Sequence, residues 1–339
     1  MTPRERVIRT LHGEPIHPLP SLLNVPAEIA QNRPLDCADL LQRFPNDIDV
    51  IRPLRFDCNE QNGFRTTDPM GLTWKLVYGE YQPATPPVCR DVRELAARIS
   101  ASRTVKNKWT VEEELDAMGA FCENNTRFVL LQAPFSLLNE CCALLGFEKA
   151  QLAIRDESSV FMDFLQHMHR VFMTCLQDWC QSDVDAICLF SGRFQPEGEL
   201  IPLSFWKKHL LPYLQEAIQT IRQADKYAIV SVLGNIQDML PSLKAAGADA
   251  VRYDCTQTDA ALLAEQWGGS MAFMPVFPVQ NFADRSCEEI SEEILNLRRI
   301  FEGSCAIVPE CDFRLETPYR STATAVLSWR RRMPIEKIY

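Results

Sequence analysis

The sequence predicts a (β/α)8 TIM barrel with an inserted β-hairpin and helical segment near residues 57–126. Eight short aliphatic runs of four to six residues have the character of parallel strands buried on both faces. Long amphipathic stretches separate these runs, which is typical of strands joined by crossover helices. The chain has 339 residues, a length that single α/β barrels often reach. We therefore expect one domain over residues 1–339.

The first element is a helix, followed by the first of the eight strands. Thr2-Pro3-Arg4-Glu5 has the pattern of a capping box with proline at the first helical position, and the helix should run to Leu11 and end at Gly13. The predicted strands are Leu22–Val25, Ile48–Ile51, Phe128–Gln132, Ala186–Phe190, Ala228–Val232, Ala250–Tyr253, Met271–Val276 and Cys305–Val308.

The stretches between the strands repeat apolar residues at helical spacing, which we call stripes, and contain residues typical of helix ends. Ser204 is a candidate N-cap, and Gly247 and Gly303 follow the last residues of two stripes, where glycine commonly ends a helix. The predicted helices are Gln151–Trp179, Phe205–Ala224, Ile236–Ala246 and Cys287–Phe301.

Residues 57–126 are too long for one crossover. Arg65–Tyr81 alternates aromatic and polar residues and contains Gly71 and Gly79, which predicts a β-hairpin. Val92–Ser100 and Val111–Phe121 have helical patterns. This segment should be an insertion in the barrel and not a separate domain.

Composition excludes several classes of partner. The net charge of −10 argues against nucleic acid and against an anionic membrane surface. The one basic run, Arg330-Arg331-Arg332, is interpreted as a solvated helix end. No apolar stretch is long enough to span a membrane, and residues 1–6 lack a signal-peptide pattern. The 13 cysteines lie mostly in apolar runs without a C-x-x-C pair, which favours a reducing, cytoplasmic location.

Residues at the C-terminal ends of barrel strands form the active site in this fold. Asp254 and Glu310 follow buried strands, where loss of solvent raises carboxyl pKa values, and they are the predicted catalytic acid–base residues. The predicted substrate contacts at the other strand ends are Arg52, Gln132, Phe135, Arg193, Gln195, Ser231, Asn235 and Tyr253.

Three of the strand ends carry arginines, namely Arg52, Arg193 and Arg252. If they converge, their guanidinium forks would recognise a substrate carboxylate. Strand alternation places Arg252 and Tyr253 on opposite faces, so only one of them can face the site. The alternative is that the arginines pair with carboxylates of the protein, namely Glu197, Asp254 or Glu310. The histidines of the helical stretches, His167, His169 and His209, are expected to be packing or surface residues.

An ordered set of motifs covers nearly the whole chain. They are the opening helix Thr2–Val7, Asp68-Pro69-Met70-Gly71-Leu72-Thr73-Trp74, the turn Ala133-Pro134-Phe135-Ser136, Ala246-Gly247-Ala248-Asp249-Ala250, and Glu316-Thr317-Pro318. The set resembles the uroporphyrinogen decarboxylase superfamily, and particularly its corrinoid-linked methyltransferase branch. The resemblance implies a barrel domain over 1–339, a small and in some cases carboxylated substrate, a corrinoid protein as partner and, as in many members, a homodimer.

The resemblance also implies a zinc ion that activates a thiolate, held by a His-x-Cys motif after the fifth strand and by a cysteine after the eighth. Ser231 and Leu233 stand at the first two ligand positions, whereas Cys311 matches the third. Because catalytic zinc needs about three protein ligands, zinc at Cys311 requires ligands from elsewhere in the chain. The alternative is that Cys311 is a buried structural thiol.

The sequence leaves three functions open. The first is a divergent methyltransferase that moves a methyl group between a small substrate and a corrinoid protein or a thiol. The second is a tetrapyrrole decarboxylase, although Asn24-Val25-Pro26-Ala27-Glu28 replaces the Arg-Gln-Ala-Gly-Arg-Tyr segment of that enzyme. The third is a catalytically silent barrel that binds a small molecule.

Overall fold

The computed structural model describes residues 1–53, 65–77, 80–104, 112–123, 125–134, 136–194, 201–277 and 285–331. Eight parallel strands alternate with helices, and three further strands form a small antiparallel insert. The predicted TIM-like (β/α)8 fold is therefore confirmed. The contacts group the chain into two compact units, the first made of Met1–Asp49, Thr126–Phe128 and Asp249–Tyr339 and the second of Val50–Asn125 and Val129–Ala248. That the chain forms one domain stays a prediction.

The described helices are α1 Pro3–Leu11, α2 Ala27–Asn32, α3 Pro34–Arg43, α4 Glu94–Thr104, α5 Glu112–Glu123, α6 Leu137–Leu145, α7 Phe147–Asp156, α8 Ser159–Cys180, α9 Leu203–Phe205, α10 Leu211–Gln223, α11 Leu240–Ala246, α12 Ala260–Trp267, α13 Cys287–Phe301 and α14 Tyr319–Arg330, with a π-helix at Trp206–Leu210. The strands are β1 Leu22–Asn24, β2 Ile48–Ile51, β3 Arg65–Thr67, β4 Thr73–Val77, β5 Glu80–Pro83, β6 Phe128–Gln132, β7 Ala186–Phe194, β8 Tyr227–Gly234, β9 Ala250–Asp254, β10 Ala272–Phe277, β11 Ala306–Ile307 and β12 Glu310–Asp312.

The first unit is built on parallel strands in the order β1-β12-β10-β9, with β11 also paired to β10. Helices α13 and α14 pack on each other in this unit. Thr2 and Glu5 form the expected capping box at α1. The residues Ile290, Ile294 and Phe301 of α13 are fully buried because they fall on one face of the helix.

The buried carboxylate of Asp47 contacts residues from the beginning and the end of the first unit. Asp47 is 3% exposed and accepts a hydrogen bond from the Ser21 amide at 3.0 Å. Arg6 and Arg330 lie 3.3 and 3.2 Å from its two oxygens. The Arg330 guanidinium also donates to Ser21 Oγ at 2.8 Å. The interpretation of Arg330 as part of a solvated helix end is therefore wrong, because the buried Asp47 draws it inward.

The second unit contains the parallel strands β6, β7 and β8. The register of β7 against β8 shifts between Phe190 and Gly192, which is a β-bulge. Residues of α8 and α10 are buried over this sheet, including Phe164, Leu165 and Ile218. The π-helix immediately precedes α10.

The insert belongs to the second unit and has three antiparallel strands, β3-β4-β5, where the sequence predicted a hairpin of two. Asp68 Oδ1 accepts the Met70 and Leu72 amides at 2.8 and 3.0 Å, and its Oδ2 accepts Trp74 Nε1 at 2.8 Å. Gly71 has a φ of +86°, which residues with a side chain rarely adopt. The Asp68–Trp74 motif is therefore a structural turn, which Arg98 of α4 also supports by donating to the Met70 carbonyl at 2.9 Å. The two predicted helices of the insertion are confirmed as α4 and α5.

Several predicted bounds were wrong for local reasons. The stretch Gln151–Trp179 is divided into α7 and α8 because Glu157 takes a left-handed conformation. The helix predicted after Ser204 begins already at Leu203, with Pro202 as its N-cap residue. Helix α11 begins at Leu240 and not at Ile236, although it ends at Gly247 as expected.

The eighth strand is displaced and divided. The sequence predicted it at Cys305–Val308, whereas the structure has β11 at Ala306–Ile307 and β12 at Glu310–Asp312. Pro309, which has no amide hydrogen to donate, lies between the two pieces. This displacement places Glu310 and Cys311 within a strand. Among the described residues, no helix combines the length and the apolar character that a membrane span requires.

Candidate functional site

Four side chains share one row across the sheet of the first unit. Asp254 of β9 is in register with Val276 of β10, which is in register with Glu310 of β12, and Glu310 is in register with Leu22 of β1. Neighbours in register point to the same face of a sheet, and so do residues two apart on one strand. Arg252, two residues before Asp254, therefore shares this face with both carboxylates.

Arg252 and Glu310 form a two-pronged ion pair. Nε of Arg252 donates to Oε2 of Glu310 at 2.7 Å, and Nη2 donates to Oε1 at 2.8 Å. The side chains are 15% and 2% exposed, so the pair is largely removed from water. For Arg252, the alternative of pairing with a carboxylate of the protein is confirmed. Glu310 is consequently held as a fixed negative charge beside a fixed positive one.

Asp254 is anchored through one of its two carboxylate oxygens. Its Oδ1 accepts the Thr256 amide at 2.9 Å and the Thr256 hydroxyl at 2.7 Å. Its Oδ2 has no hydrogen bond to any residue in the described ranges. A carboxyl group anchored through one oxygen keeps the other in a defined position, which is the arrangement that proton exchange with a bound molecule needs.

The same edge carries a second group of polar side chains that the sequence did not single out as a unit. Asp312 accepts Asn24 Nδ2 at 2.9 Å on Oδ1 and Arg314 Nη2 at 3.1 Å on Oδ2. Asp312 lies two residues after Glu310 and therefore shares its face. The alternation Glu-Cys-Asp soon after the apolar run Cys305–Val308 was the available signal. Three carboxylates and one arginine thus lie on the same face around this register row. We refer to these four residues, Arg252, Asp254, Glu310 and Asp312, as the carboxylate row.

Cys311 lies on the other face of β12. It is 1% exposed and next to the Trp329 side chain of α14. Burial raises the pKa of the Cys311 thiol well above its usual range, and the neighbouring carboxylates act in the same direction. Within the described ranges, no three His, Cys, Asp or Glu side chains are grouped so that they could hold a metal ion. Zinc at Cys311 stays a prediction.

Tyr253 also lies on the face opposite Asp254, as strand alternation predicted. It is 1% exposed, and its ring packs edge-on against Phe273 with 6.0 Å between the ring centres. Burial raises the pKa of its hydroxyl well above the usual value. Its role as a substrate contact stays a prediction.

The remaining predicted contacts belong to the second unit. Arg52 directly follows β2 and Gln132 ends β6, both half-buried, whereas Ser231 is buried within β8. Asn235 is exposed and accepts the Gln237 amide at 3.1 Å. Arg193 lies in β7, and Phe135 and Gln195 lie outside the described residues. A common site for these side chains stays a prediction.

The fold and the carboxylate row define the class of protein. This is a TIM-like (β/α)8 protein with polar and charged side chains at the C-terminal ends of its strands, where this fold carries active sites. The chain belongs to the uroporphyrinogen decarboxylase family, because the family model described as "Uroporphyrinogen decarboxylase (URO-D)" matches residues 65–314.

Solved structures agree with this fold. A methyltransferase from Methanosarcina mazei aligns with a TM-score of 0.67 and 13% identity over 97% of this chain and 98% of its own. A B12-independent methionine synthase from Shewanella sp. W3-18-1, in complex with selenomethionine, aligns with a TM-score of 0.54 and 11% identity over 86% and 84%. No curated protein matches the chain in sequence. At these identities the structural similarity shows the fold alone.

Proposed function

We propose that the protein is a methyltransferase-type enzyme that moves a methyl group between a small substrate and a corrinoid protein or a thiol. The observation that carries the proposal is Asp254, which lies on the same face of the sheet as the Arg252–Glu310 pair and whose Oδ2 accepts no hydrogen bond from the described residues. Membership of the family and the structural similarity to a methyltransferase support it. Zinc takes no part in the proposal, because the described residues around Cys311 do not supply a ligand set.

Methyl transfer requires that a proton reach the heteroatom that the methyl group leaves. When the methyl group leaves its donor, the carbon–heteroatom bond breaks and its electron pair remains on the heteroatom. The methyl carbon forms its new bond to the nucleophile of the corrinoid protein or to the sulfur of the thiol, whose S–H bond breaks and releases its proton to solvent. Asp254 passes a proton from solvent to the heteroatom through its Oδ2, and the charges of Arg252 and Glu310 orient the bound substrate.

Methyl transfer can be measured with the purified protein, a panel of methylated donors, and a corrinoid carrier or a thiol as acceptor. We expect transfer with at least one donor, and a loss of about 100-fold or more in kcat for Asp254→Asn. Asp259→Asn is the matched control, because Asp259 only caps α12 and asparagine caps helices equally well. Absence of transfer from every donor would overturn the proposal.

A second candidate is decarboxylation of a tetrapyrrole, which the description of the matching family favours. It is tested by incubating the protein with uroporphyrinogen and measuring coproporphyrinogen. Formation of coproporphyrinogen, lost in Asp254→Asn, would establish the decarboxylase and exclude methyl transfer as the main activity. If neither reaction occurs, a silent binding barrel remains.

A further inference from the structure

A cavity lies in the first unit at the N-terminal ends of β10 and β11, beside the segment that leads into β1. Its volume is about 280 Å³, whereas a cavity of about 150 Å³ already holds a benzene ring. It is partly open to solvent, and none of its lining residues belongs to the carboxylate row. The cavity is therefore a separate space that a small organic molecule can enter.

The walls of this cavity combine apolar side chains with a buried arginine. Ile16, Leu19 and Phe301 are among the apolar residues that line it, and Arg298 of α13 lines it as well. The Arg298 residue is only 4% exposed. Small-molecule sites typically have such walls, which are largely apolar and contain a few polar groups that orient the ligand.

The guanidinium group of Arg298 is only partly used by the protein. Its Nη1 donates to the Ser328 carbonyl at 2.8 Å and to the Arg331 carbonyl, at the end of α14. Among the described residues, none accepts a hydrogen bond from Nε or Nη2, and no carboxylate forms an ion pair with this side chain. Both free nitrogens keep some contact with solvent, and the cavity is a solvent-filled space that Arg298 lines. The Nε–Nη2 edge therefore borders the cavity.

The same edge of another arginine in this unit binds a carboxylate. Nε and Nη2 of Arg252 donate to the two oxygens of Glu310, which is the two-pronged geometry in which guanidinium and carboxylate groups match. Arg298 offers the same two donors without such a partner. Burial lowers the pKa of its guanidinium, and the charge of Glu302 acts in the opposite direction. A bound anion would offset the cost of burying this cation.

A backbone group in the same wall also lacks a partner. The Val308 amide donates to the Phe273 carbonyl of β10 at 2.9 Å, and successive amides of a strand point to opposite sides. The amide and carbonyl of Ile307 therefore point away from β10. On that side β11 has no paired strand in the part of the chain that the structure describes, because β1 pairs with β12. Ile307 lines the cavity and is 3% exposed, and buried backbone groups normally have a partner.

We propose that this cavity binds an organic monocarboxylate. The carboxylate would pair with Nε and Nη2 of Arg298, and the organic part would pack against the apolar wall. Glu14 and Glu302 also line the cavity, so a second negative charge on the ligand would be repelled, and a singly charged anion is favoured over phosphate. The proposal does not depend on the proposed methyl transfer, because it concerns other residues at the opposite ends of the strands.

Binding of benzoate and of benzamide to the full-length protein at neutral pH, measured by calorimetry, tests the proposal. Benzamide has the size and shape of benzoate but carries no charge. We expect benzoate to bind about tenfold more tightly or better, because hydrogen bonds between charged groups are stronger than those between neutral ones. Equal affinities for the two probes, or no binding of either, would overturn the proposal.

Arg298 is tested by removing its charge. Arg298→Met should lower benzoate binding to the level of benzamide and leave benzamide binding unchanged. Arg299→Met, at the exposed arginine next to it on α13, is the matched control and should change neither affinity. If Arg298→Met does not fold, Arg298→Lys keeps a positive charge and a donor for α14 but loses the fork, and benzoate should then bind about fivefold more weakly. A preference for benzoate that is unchanged in the folded variant would contradict the proposed contact.

Filling the cavity provides a test that leaves Arg298 in place. Leu19→Trp enlarges a half-buried wall residue and should abolish binding of both probes. Leu262→Trp is the matched control, because Leu262 is a half-buried leucine of α12 that does not line the cavity. Benzoate binding that survives Leu19→Trp at full strength would place the anion elsewhere and overturn the proposal.

Discussion

At the scale of single residues, the Arg252–Glu310 pair dominates the carboxylate row. Glu310 is 2% exposed, and two hydrogen bonds of 2.7 and 2.8 Å satisfy both of its oxygens. Taking two charges out of water is costly, and their attraction offsets that cost only when the geometry is good. The pair therefore fixes the position of charge at the strand ends and contributes little net stability.

This balance gives a prediction for stability. Glu310→Leu removes the carboxylate that two Arg252 donors share and should lower the free energy of unfolding by about 3–5 kcal/mol. The double variant with Arg252→Met should recover a large part of that loss, because neither charge of the pair is then left without its partner. Denaturant unfolding of both variants measures this, with the exposed Glu288→Leu as control. A double variant less stable than Glu310→Leu would contradict the argument.

Asp68 and Trp74 show that a residue motif can be structural. The Trp74 indole donates to Oδ2 of Asp68 at 2.8 Å, and both side chains are nearly fully buried. Trp74→Phe keeps most of the ring but withdraws a donor from a buried carboxylate, which should cost about 1–3 kcal/mol. Thermal unfolding measures the loss, and methyl transfer measured below the melting temperature should stay at the wild-type rate. Loss of transfer in a folded variant would show that the insert acts on the reaction.

At the scale of elements, the junction between α7 and α8 depends on one glutamate. Glu157 has a φ of 44°, and its Oε2 lies 2.6 Å from Lys208 Nζ and 2.9 Å from His209 Nε2 of the π-helix. Hydrogen bonds from Lys208 and then from His209 lower the pKa of the Glu157 carboxyl. A left-handed glutamate is uncommon, and its two partners compensate for that conformation.

The lowered pKa of Glu157 predicts a pH dependence. Because the folded pKa lies below the unfolded one, the stabilisation is present above the unfolded value of about 4.3 and is lost as the pH falls through the folded value. Glu157→Gln should therefore be less stable than wild type near neutral pH, and the difference should shrink in acid. Urea unfolding at about pH 7 and about pH 4 checks this. Glu148→Gln on α7 is the control, and an unchanged difference at both pH values would refute the linkage.

The helices and strands also show which features hydrophobic periodicity can predict and which it cannot. Hydrophobic periodicity found the strands and most helices because it records which face of an element is buried. It missed the break at Glu157, because a left-handed glutamate carries no sequence signal comparable to glycine. It also missed the π-helix at Trp206–Leu210, since one extra residue in a turn barely changes an apolar stripe.

At the scale of the whole molecule, Arg330 connects parts of the first unit that are far apart in sequence. It contacts Asp47, 283 residues earlier in the chain, and Ser21. Burial raises the pKa of Asp47, whereas the amide of Ser21 and the charges of Arg6 and Arg330 act against that rise. The last described helix is thereby held to the beginning of the chain.

Arg330→Met should consequently destabilise the protein by about 3 kcal/mol, because the buried Asp47 loses the cation that lies closest to its Oδ2. The exposed Arg331→Met, one residue further on, is the matched control and should change stability by less than about 0.5 kcal/mol. Denaturant unfolding compares the two. Equal effects of both variants would show that Arg330 acts as the surface charge that the sequence suggested.

The sequence by itself determined the strand–helix alternation, the (β/α)8 class, the family and the strand end that carries Asp254. These features are local or periodic, so they can be recognised from neighbouring residues along the chain. Only the tertiary structure decided that Arg252 meets Glu310, that Cys311 points away from the carboxylate row and that Arg330 is drawn inward. Those outcomes depend on strand register and on partners dozens to hundreds of residues away, where a shift of one residue exchanges the two faces of a strand.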